Sequence, residues 1–316
     1  MLVLVTGSTG LVGSALQEVT KDNNDPTITW FFASRKNADL TDLLETEMLF
    51  DRVQPTHVIH LAAKVGGLFA NRKRNLQFYR INQLINTNVL ETAYKSPSVI
   101  KCVSVMSTCI FPQDTKLPLS EKDLHNGLPH SSNIGYAMSK RNLDVLGKLL
   151  YSSNPKTLFT TVIPTNLYGP YDNFHLETCH VLPALIKKMY MAKLYKNEEV
   201  TLLGTGSARR QFMLAFDLAL ALKHIIVKYD SPEPIIVSPP KEITIKELTV
   251  LVAKKVGYKG KITFLGDPED DGLLAKTVDT KKFTKLFPDF VFTPLVIGLA
   301  VTIQWFFKKE GKNLIS

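Results

Sequence analysis

The chain has 316 residues, 45% of them hydrophobic and 21% charged, which excludes an extended disordered chain and allows one large α/β unit or a main domain with a smaller lobe. Thirty-eight lysines and arginines against 29 aspartates and glutamates leave a net charge of +9, which suits an anionic ligand. The basic residues fall in scattered pairs such as Lys187-Lys188 and Lys254-Lys255, the pattern of solvated helix faces rather than of a nucleic-acid-binding block.

Met1 to Thr6 is a short apolar run that predicts a strand, and with no basic segment ahead of it the run does not read as a secretion signal. A glycine-rich turn follows, then the helical spacing of Leu11, Ala15, Leu16 and Val19. After a polar turn over 22–26, Thr27 to Ser34 predicts a second strand. Thr41 to Val53 predicts a helix, His57 to Ala62 a third strand, and Leu76 to Tyr94 a long helix. Val99 to Met106 and Leu158 to Ile163 are further strands flanking a helix over Gly135 to Tyr151. Past residue 166 the alternation breaks into turn clusters at Tyr168–Asn173, Gly204–Ala208 and Ser231–Lys241. Val296 to Phe307 spans too few apolar residues to cross a bilayer and predicts a buried amphipathic helix.

Strands and helices alternating from the first residue predict an α/β fold of Rossmann type, a doubly wound parallel sheet with a smaller C-terminal substrate-binding lobe. Residues 1–165, joined by about 211–234, are expected to form the dinucleotide-binding domain, and 166–316 mainly the lobe. Cys102, Cys109 and Cys179 are an odd count without framework spacing, so free thiols in a reducing, cytoplasmic setting are expected. No cluster has metal-ligand spacing, and no metal is expected.

The turn Gly7-Ser8-Thr9-Gly10-Leu11-Val12-Gly13 lies between a strand and a helix, where glycines let the backbone approach a pyrophosphate at a helix N-terminus. At the end of the second strand an NAD site usually carries a carboxylate for the ribose 2′-hydroxyl. Here Ser34-Arg35-Lys36 supplies cations, and Arg35 can pair with a 2′-phosphate, so NADPH/NADP+ is the expected cofactor. Asp39 and Leu40 follow at a position suited to the adenine ring. Tyr136 and Lys140, at i and i+4, share one helix face, where the ammonium is expected to lower the phenol's pKa. Ser107 stands at the C-terminal end of the strand ending at Met106, the edge where open parallel sheets bind ligands, and can hydrogen-bond a carbonyl oxygen. His57 and His60 flank a strand and read as packed.

With these residues in place the chain resembles the GDP-L-fucose synthases of the extended short-chain dehydrogenase/reductase superfamily, from Val5 to Phe307. The resemblance is carried by the glycine turn, His57-Val58-Ile59-His60-Leu61-Ala62-Ala63-Lys64-Val65-Gly66-Gly67, Ser107-Thr108-Cys109-Ile110-Phe111-Pro112 and Tyr136 with Lys140. Pro164-Thr165-Asn166-Leu167-Tyr168-Gly169-Pro170-Tyr171-Asp172-Asn173-Phe174, His180-Val181-Leu182-Pro183 and Arg210-Gln211-Phe212 complete it. It departs at Leu203, where some relatives carry an aromatic, and at Ser238-Pro239-Pro240-Lys241, which replaces a glycine-containing loop.

The resemblance implies epimerisation at C3 and C5 of GDP-4-keto-6-deoxy-D-mannose, then reduction at C4 by NADPH. Ser107, Cys109, Tyr136, Lys140 and His180 are its expected catalytic set, with Cys109 as thiolate base and His180 as imidazolium. Leu61, Ala62, Ala63, Val105, Met106, Lys140, Pro164, Thr165, Asn166, Leu167 and His180 join the glycine turn, Arg35, Asp39 and Leu40 around the cofactor. Ser107, Thr108, Cys109, Asn166, Lys188, Leu203, Arg210 and Asp271 are expected at the GDP-sugar, with Arg209 an exposed neighbour. A homodimer through the helices Leu76–Tyr94 and Gly135–Tyr151 is implied, with no nucleic-acid or membrane partner. A UDP-sugar 4-epimerase or a GDP-sugar 4-reductase lacking epimerase activity is the nearest alternative, and a redox-sensing or nucleic-acid-binding scaffold a more distant one. Arg35 opposes a tightly held NAD, and an intact Ser107, Tyr136 and Lys140 oppose a non-enzyme.

Overall fold

The computed structural model describes residues 1–21, 25–267 and 271–313; part of the polar turn expected over 22–26 lies outside them. The first strands are β1 (Leu2–Thr6), β2 (Thr29–Phe32), β3 (His57–His60), β4 (Lys101–Val105) and β5 (Leu158–Pro164). Between them run α1 (Leu11–Lys21), α2 (Leu43–Val53), α3 (Leu68–Lys95) and α4 (Ile134–Ser153). Valine and leucine dominate β1, and β1, β4 and β5 are buried on both faces, as a parallel sheet covered by helices requires. Local signals set the helix ends. The Asp42 side chain accepts the Glu45 N–H to start α2, and Gln54 closes that helix in the left-handed conformation.

Beyond β5 come β6 (Asn166–Tyr168), α5 (Val181–Leu194), β7 (Glu199–Leu202), β8 (Arg209–Arg210), β9 (Phe212–Leu214) and α6 (Ala215–Lys228). Then follow β10 (Ile235–Val237), β11 (Ile243–Thr244), α7 (Ile245–Val256), β12 (Lys261–Phe264), α8 (Lys281–Leu286) and α9 (Leu295–Asn313). The main sheet has six parallel strands in the order β10-β5-β4-β3-β1-β2. The order reverses between β1 and β3, so the crevice at the carboxyl ends of these strands is where such a sheet takes its ligand.

One apolar core lies on the α2, α3 and α4 side of the sheet and a second on the α1 and α6 side. A third gathers α5, α7 and α9 with β6, β7 and β9 around Tyr168, Leu182 and Phe306. The short ladders β6-β9, β7-β12 and β8-β11 hold this lobe over the crevice. Among the described residues no helix is long and apolar enough to cross a membrane.

Through β5 the elements differ from the sequence expectation mainly at their ends, whereas β6 to α8 form where the sequence showed only a break in the alternation. The long helix begins at Leu68 instead of Leu76, with non-helical backbone at Arg74 (φ −132°, ψ 32°) that breaks the apolar spacing between its two parts. Strand β10 is absent from the sequence expectation, because three residues between prolines carry too little periodicity to read.

Candidate active site

The crevice deepens into a cavity of about 810 Å³ walled by the carboxyl ends of β1, β3, β4 and β5 and roofed by the lobe. At its floor Gly7 takes a left-handed φ of 69°, and a Cβ there would lie 2.6 Å from the Ala62 nitrogen. A Cβ on Gly13 would stand 2.5 Å from the Gly7 oxygen and 2.6 Å from Ser8 backbone, so only glycine lets α1 start so close under the turn. Gly10 faces the cavity, and a Cβ on it would meet only the Gly7 oxygen, at 3.4 Å. The turn is therefore open on the side where a diphosphate would meet the N-terminus of α1.

Thr6 and His60 fix this floor from behind. The Thr6 hydroxyl lies 2.8 Å from His60 Nδ1, and His60 Nε2 lies 3.1 Å from Asn86 Oδ1. Asn86 in turn donates to the Ser139 carbonyl (2.8 Å), tying the glycine turn to helix α4. His60 is completely buried, and desolvation, helped by the Lys140 charge, lowers its pKa to about 3, so it is neutral.

On α4, Lys140 is buried and donates to the Val105 carbonyl at 2.8 Å; its Nζ lies 6.0 Å from the Tyr136 ring centroid. Burial lowers the Lys140 pKa to about 8. The Tyr136 phenol moves the other way from the sequence expectation. Burial, and next the charge of Cys109, pushes its pKa up, because the fold removes solvent from around the phenolate. Ser107 precedes the turn Thr108–Ile110 that presents Cys109. Burial pushes the Cys109 thiol up, against the opposing pull of Lys276, a hydrogen bond with Ser107 and Lys140. His180 sits at the N-terminus of α5 and lines the cavity, and desolvation lowers its pKa. The resting pair is thus thiol and neutral imidazole, which corrects the expected thiolate and imidazolium: neither charged form has a strong counter-charge to offset burial.

Residues 3–238 match the NAD dependent epimerase/dehydratase family. The GDP-L-fucose synthase of Dictyostelium discoideum is 42% identical over 306 residues, covering 96% of this chain and 94% of that protein. The chain is 43% identical to the probable GDP-L-fucose synthase of Drosophila melanogaster over 312 residues, 96% of each. The chain belongs to the GDP-L-fucose synthase family. A GDP-L-fucose synthetase from Naegleria fowleri, solved bound to NADP, superposes with a TM-score of 0.91 at 38% identity, covering 98% of this chain and 93% of that one.

Within this family member, nearly all the residues singled out by sequence line the same cavity. Thr9, Leu11, Val12, Arg35, Asp39, Leu40, Leu61, Ala62, Ala63, Val105 and Met106 line it from the glycine turn and the segments at the carboxyl ends of β2, β3 and β4. Ser107, Thr108, Cys109, Tyr136, Lys140, Pro164, Thr165, Asn166, Leu167 and His180 line it as well, and Lys188, Leu203, Arg210 and Asp271 do so from the lobe. Ser8 is the exception. It is buried outside the cavity wall, with its N–H on the Ala33 carbonyl (3.1 Å) and its carbonyl receiving Gln17 Nε2 (2.7 Å), so it braces the turn against β2.

Asp271 spends its carboxylate on the Thr205 N–H (3.0 Å) and the Thr205 hydroxyl, which holds the Gly204–Gly206 turn. Arg210 is held by the Arg209 (2.8 Å) and Asp271 (3.2 Å) carbonyls, while Arg209 is exposed and pairs with Glu242 at 2.6 Å. Sequence reasoning missed Lys276, Asn71 and Asp172, which also line the cavity. Lys276 lies in an irregular segment with no motif around it. Asp172 lies inside the Pro164–Phe174 motif, but nothing in the sequence singles it out there.

Proposed function

We propose that the chain converts GDP-4-keto-6-deoxy-D-mannose to GDP-L-fucose, inverting C3 and C5 and then reducing the C4 ketone with NADPH. The observation that carries this reading is the convergence of Ser107, Cys109, Tyr136, Lys140 and His180 with the glycine turn on one cavity. The fit to a dinucleotide rests on the open cradle at Gly10 and on Arg35 at the cavity wall, where a cation meets a 2′-phosphate. NADPH, when bound, supplies the hydride that C4 receives.

The 4-ketone makes the protons at C3 and C5 acidic, and inversion at each needs one group to remove a proton and another to return one to the opposite face. Cys109 is the base and His180 the acid in this proposal. Starting from thiol and imidazole, transfer of the thiol proton to His180 yields that pair without changing the total proton count, and Lys276 and Lys140 favour the thiolate once it forms. Ser107 and Tyr136 hydrogen-bond the C4 oxygen, sharing the charge that develops there in the enolate. Tyr136, kept protonated by burial, then hands its proton to that oxygen during reduction, while Lys140 holds the helix face and the ribose.

Residues 1–165 with about 211–234 hold the cofactor in this reading, and 166–316 mainly the nucleotide sugar through Lys188, Arg210 and the segment around Leu203. Thr108 and Asn166 flank the sugar, and Asp271 acts on the nucleotide through the turn that it braces. A cytoplasmic homodimer completes the proposal, supported by free cysteines and by exposed Leu76, Tyr79 and Leu84 on α3 beside Val145 and Leu149 on α4. The test is to incubate the chain with NADPH and the keto sugar and to identify the product by NMR. GDP-L-fucose is expected; a reduced sugar that keeps the D configuration at C5 would contradict the reading.

A further inference from the structure

Two acceptors in the cavity wall take no part in the chemistry above. Asp172 is 7% exposed and Asn71 5%, both line the cavity, and Asp172 Oδ2 and Asn71 Oδ1 have no hydrogen-bond partner among the described residues. Buried polar atoms of this kind are costly unless something satisfies them. The segments that carry them are tied to their surroundings. Asn71 Nδ2 donates to the Gly66 (2.6 Å) and Gly67 (3.1 Å) carbonyls at the start of α3, and Gly67 N–H donates to the Thr178 carbonyl (2.9 Å). Asp172 follows Tyr171, which has a left-handed φ of 70° despite its side chain. The Tyr171 hydroxyl is pinned to Glu18 at 2.8 Å and its ring lies 5.2 Å from that of Trp305. Asp172 Oδ1 accepts the Asn173 N–H at 2.7 Å, which leaves Oδ2 as the free face of the carboxyl. Both segments border the Cys179–His180 loop: a Cβ on Gly67 would meet the Cys179 oxygen at 2.4 Å, and the Cys179 thiol feels the Asp172 charge.

We propose that Asp172 Oδ2 and Asn71 Oδ1 form an acceptor subsite beside His180 that receives O–H or N–H donors of a bound ligand. The inference rests on the cavity being the ligand site proposed above and adds a specificity contact to it. Two ligands could bring such donors, the hexose through its hydroxyls and the cofactor through its carboxamide or ribose hydroxyls. Burial pushes the Asp172 carboxyl up to about 7 against the opposing Asn173 N–H, and a ligand donor at Oδ2 would draw it back toward the carboxylate.

The test is Asp172→Asn. The Asn173 N–H keeps the amide oxygen in the Oδ1 position, so the NH2 group takes the place of Oδ2 and sets a donor against the ligand's donor. Dissociation constants are measured for NADPH, for GDP-L-fucose and for GDP alone, with the melting temperature recorded. A loss of about tenfold or more confined to NADPH supports the subsite with the cofactor as donor. The same loss confined to GDP-L-fucose, with GDP unchanged, supports it with the hexose as donor. Unchanged constants, or a parallel loss for all three ligands with a lowered melting temperature, overturn it. If Asp172→Asn does not fold, Asp172→Ser is judged by the same comparison. Turnover by the wild-type chain tests the overall function separately, since it does not depend on which ligand touches Asp172.

Discussion

Replacing His60 by glutamine isolates one buried group whose protonation the fold forbids. His60 Nε2–H donates to Asn86 and Nδ1 takes the Thr6 hydroxyl, whose oxygen already receives the Leu61 (3.2 Å) and Ala62 (3.3 Å) N–H groups. A second proton on the ring would face that hydroxyl in a fully buried site with no acceptor free to take it. The folded pKa is about 3, while the unfolded chain titrates near the ordinary 6.5. A depressed folded pKa gives stability that is fully present above 6.5 and lost as pH falls toward 3, because only the unfolded state takes the proton. Each pH unit in that window costs about 1.4 kcal/mol, so moving from pH 7 to pH 5 removes about 2 kcal/mol through His60 alone. Glutamine can meet Thr6 and Asn86 with an amide that does not titrate. His57, also depressed, to about 4, contributes equally to both proteins and cancels in the comparison. Urea unfolding of both chains at pH 7 and pH 5 measures the difference. The wild type should lose about 2 kcal/mol more than the variant; equal losses would refute the assigned burial cost.

Gly13→Ala forces a methyl to within 2.5 Å of the Gly7 oxygen, so we expect about 1–3 kcal/mol of destabilisation and a weakened NADPH affinity, read by unfolding and by fluorescence titration. Arg35→Ala should lower kcat/KM with NADPH about tenfold or more while leaving that with NADH nearly unchanged, and an equal fall with both would count against a 2′-phosphate contact. Tyr136→Phe should slow reduction about 100-fold or more with little change in NADPH affinity, since it removes the proton donor and not the cofactor's cradle.

The main sheet was legible because β1, the glycine turn and α1 each carry a strong local pattern, and the same spacing repeats through β5. Its sixth strand was not, since β10 is three residues that become a strand only by lying beside β5. The start of α3 was hidden by the break at Arg74, which splits one helix into two periodicities. In the site, a serine just past the end of β4 pointed to Ser107, and the i, i+4 spacing on α4 pointed to Tyr136 and Lys140. Their protonation was beyond the sequence, because it depends on how much solvent the fold removes. Tyr136 moves up, not down, and Cys109 and His180 both rest neutral for that reason. Lys276 reaches Cys109 from a segment far along the chain, a proximity that no local spacing encodes.

In the proposed reaction one cavity inverts two carbons and then reduces a third. Running it with GDP-4-keto-6-deoxy-D-mannose and NADPH in deuterated water follows both steps in one product. Deuterium at C3 and C5 of GDP-L-fucose is expected together with NADPH oxidation, and the label is lost in Cys109→Ser while NADPH still binds. NADPH oxidation with no deuterium at either carbon would contradict it.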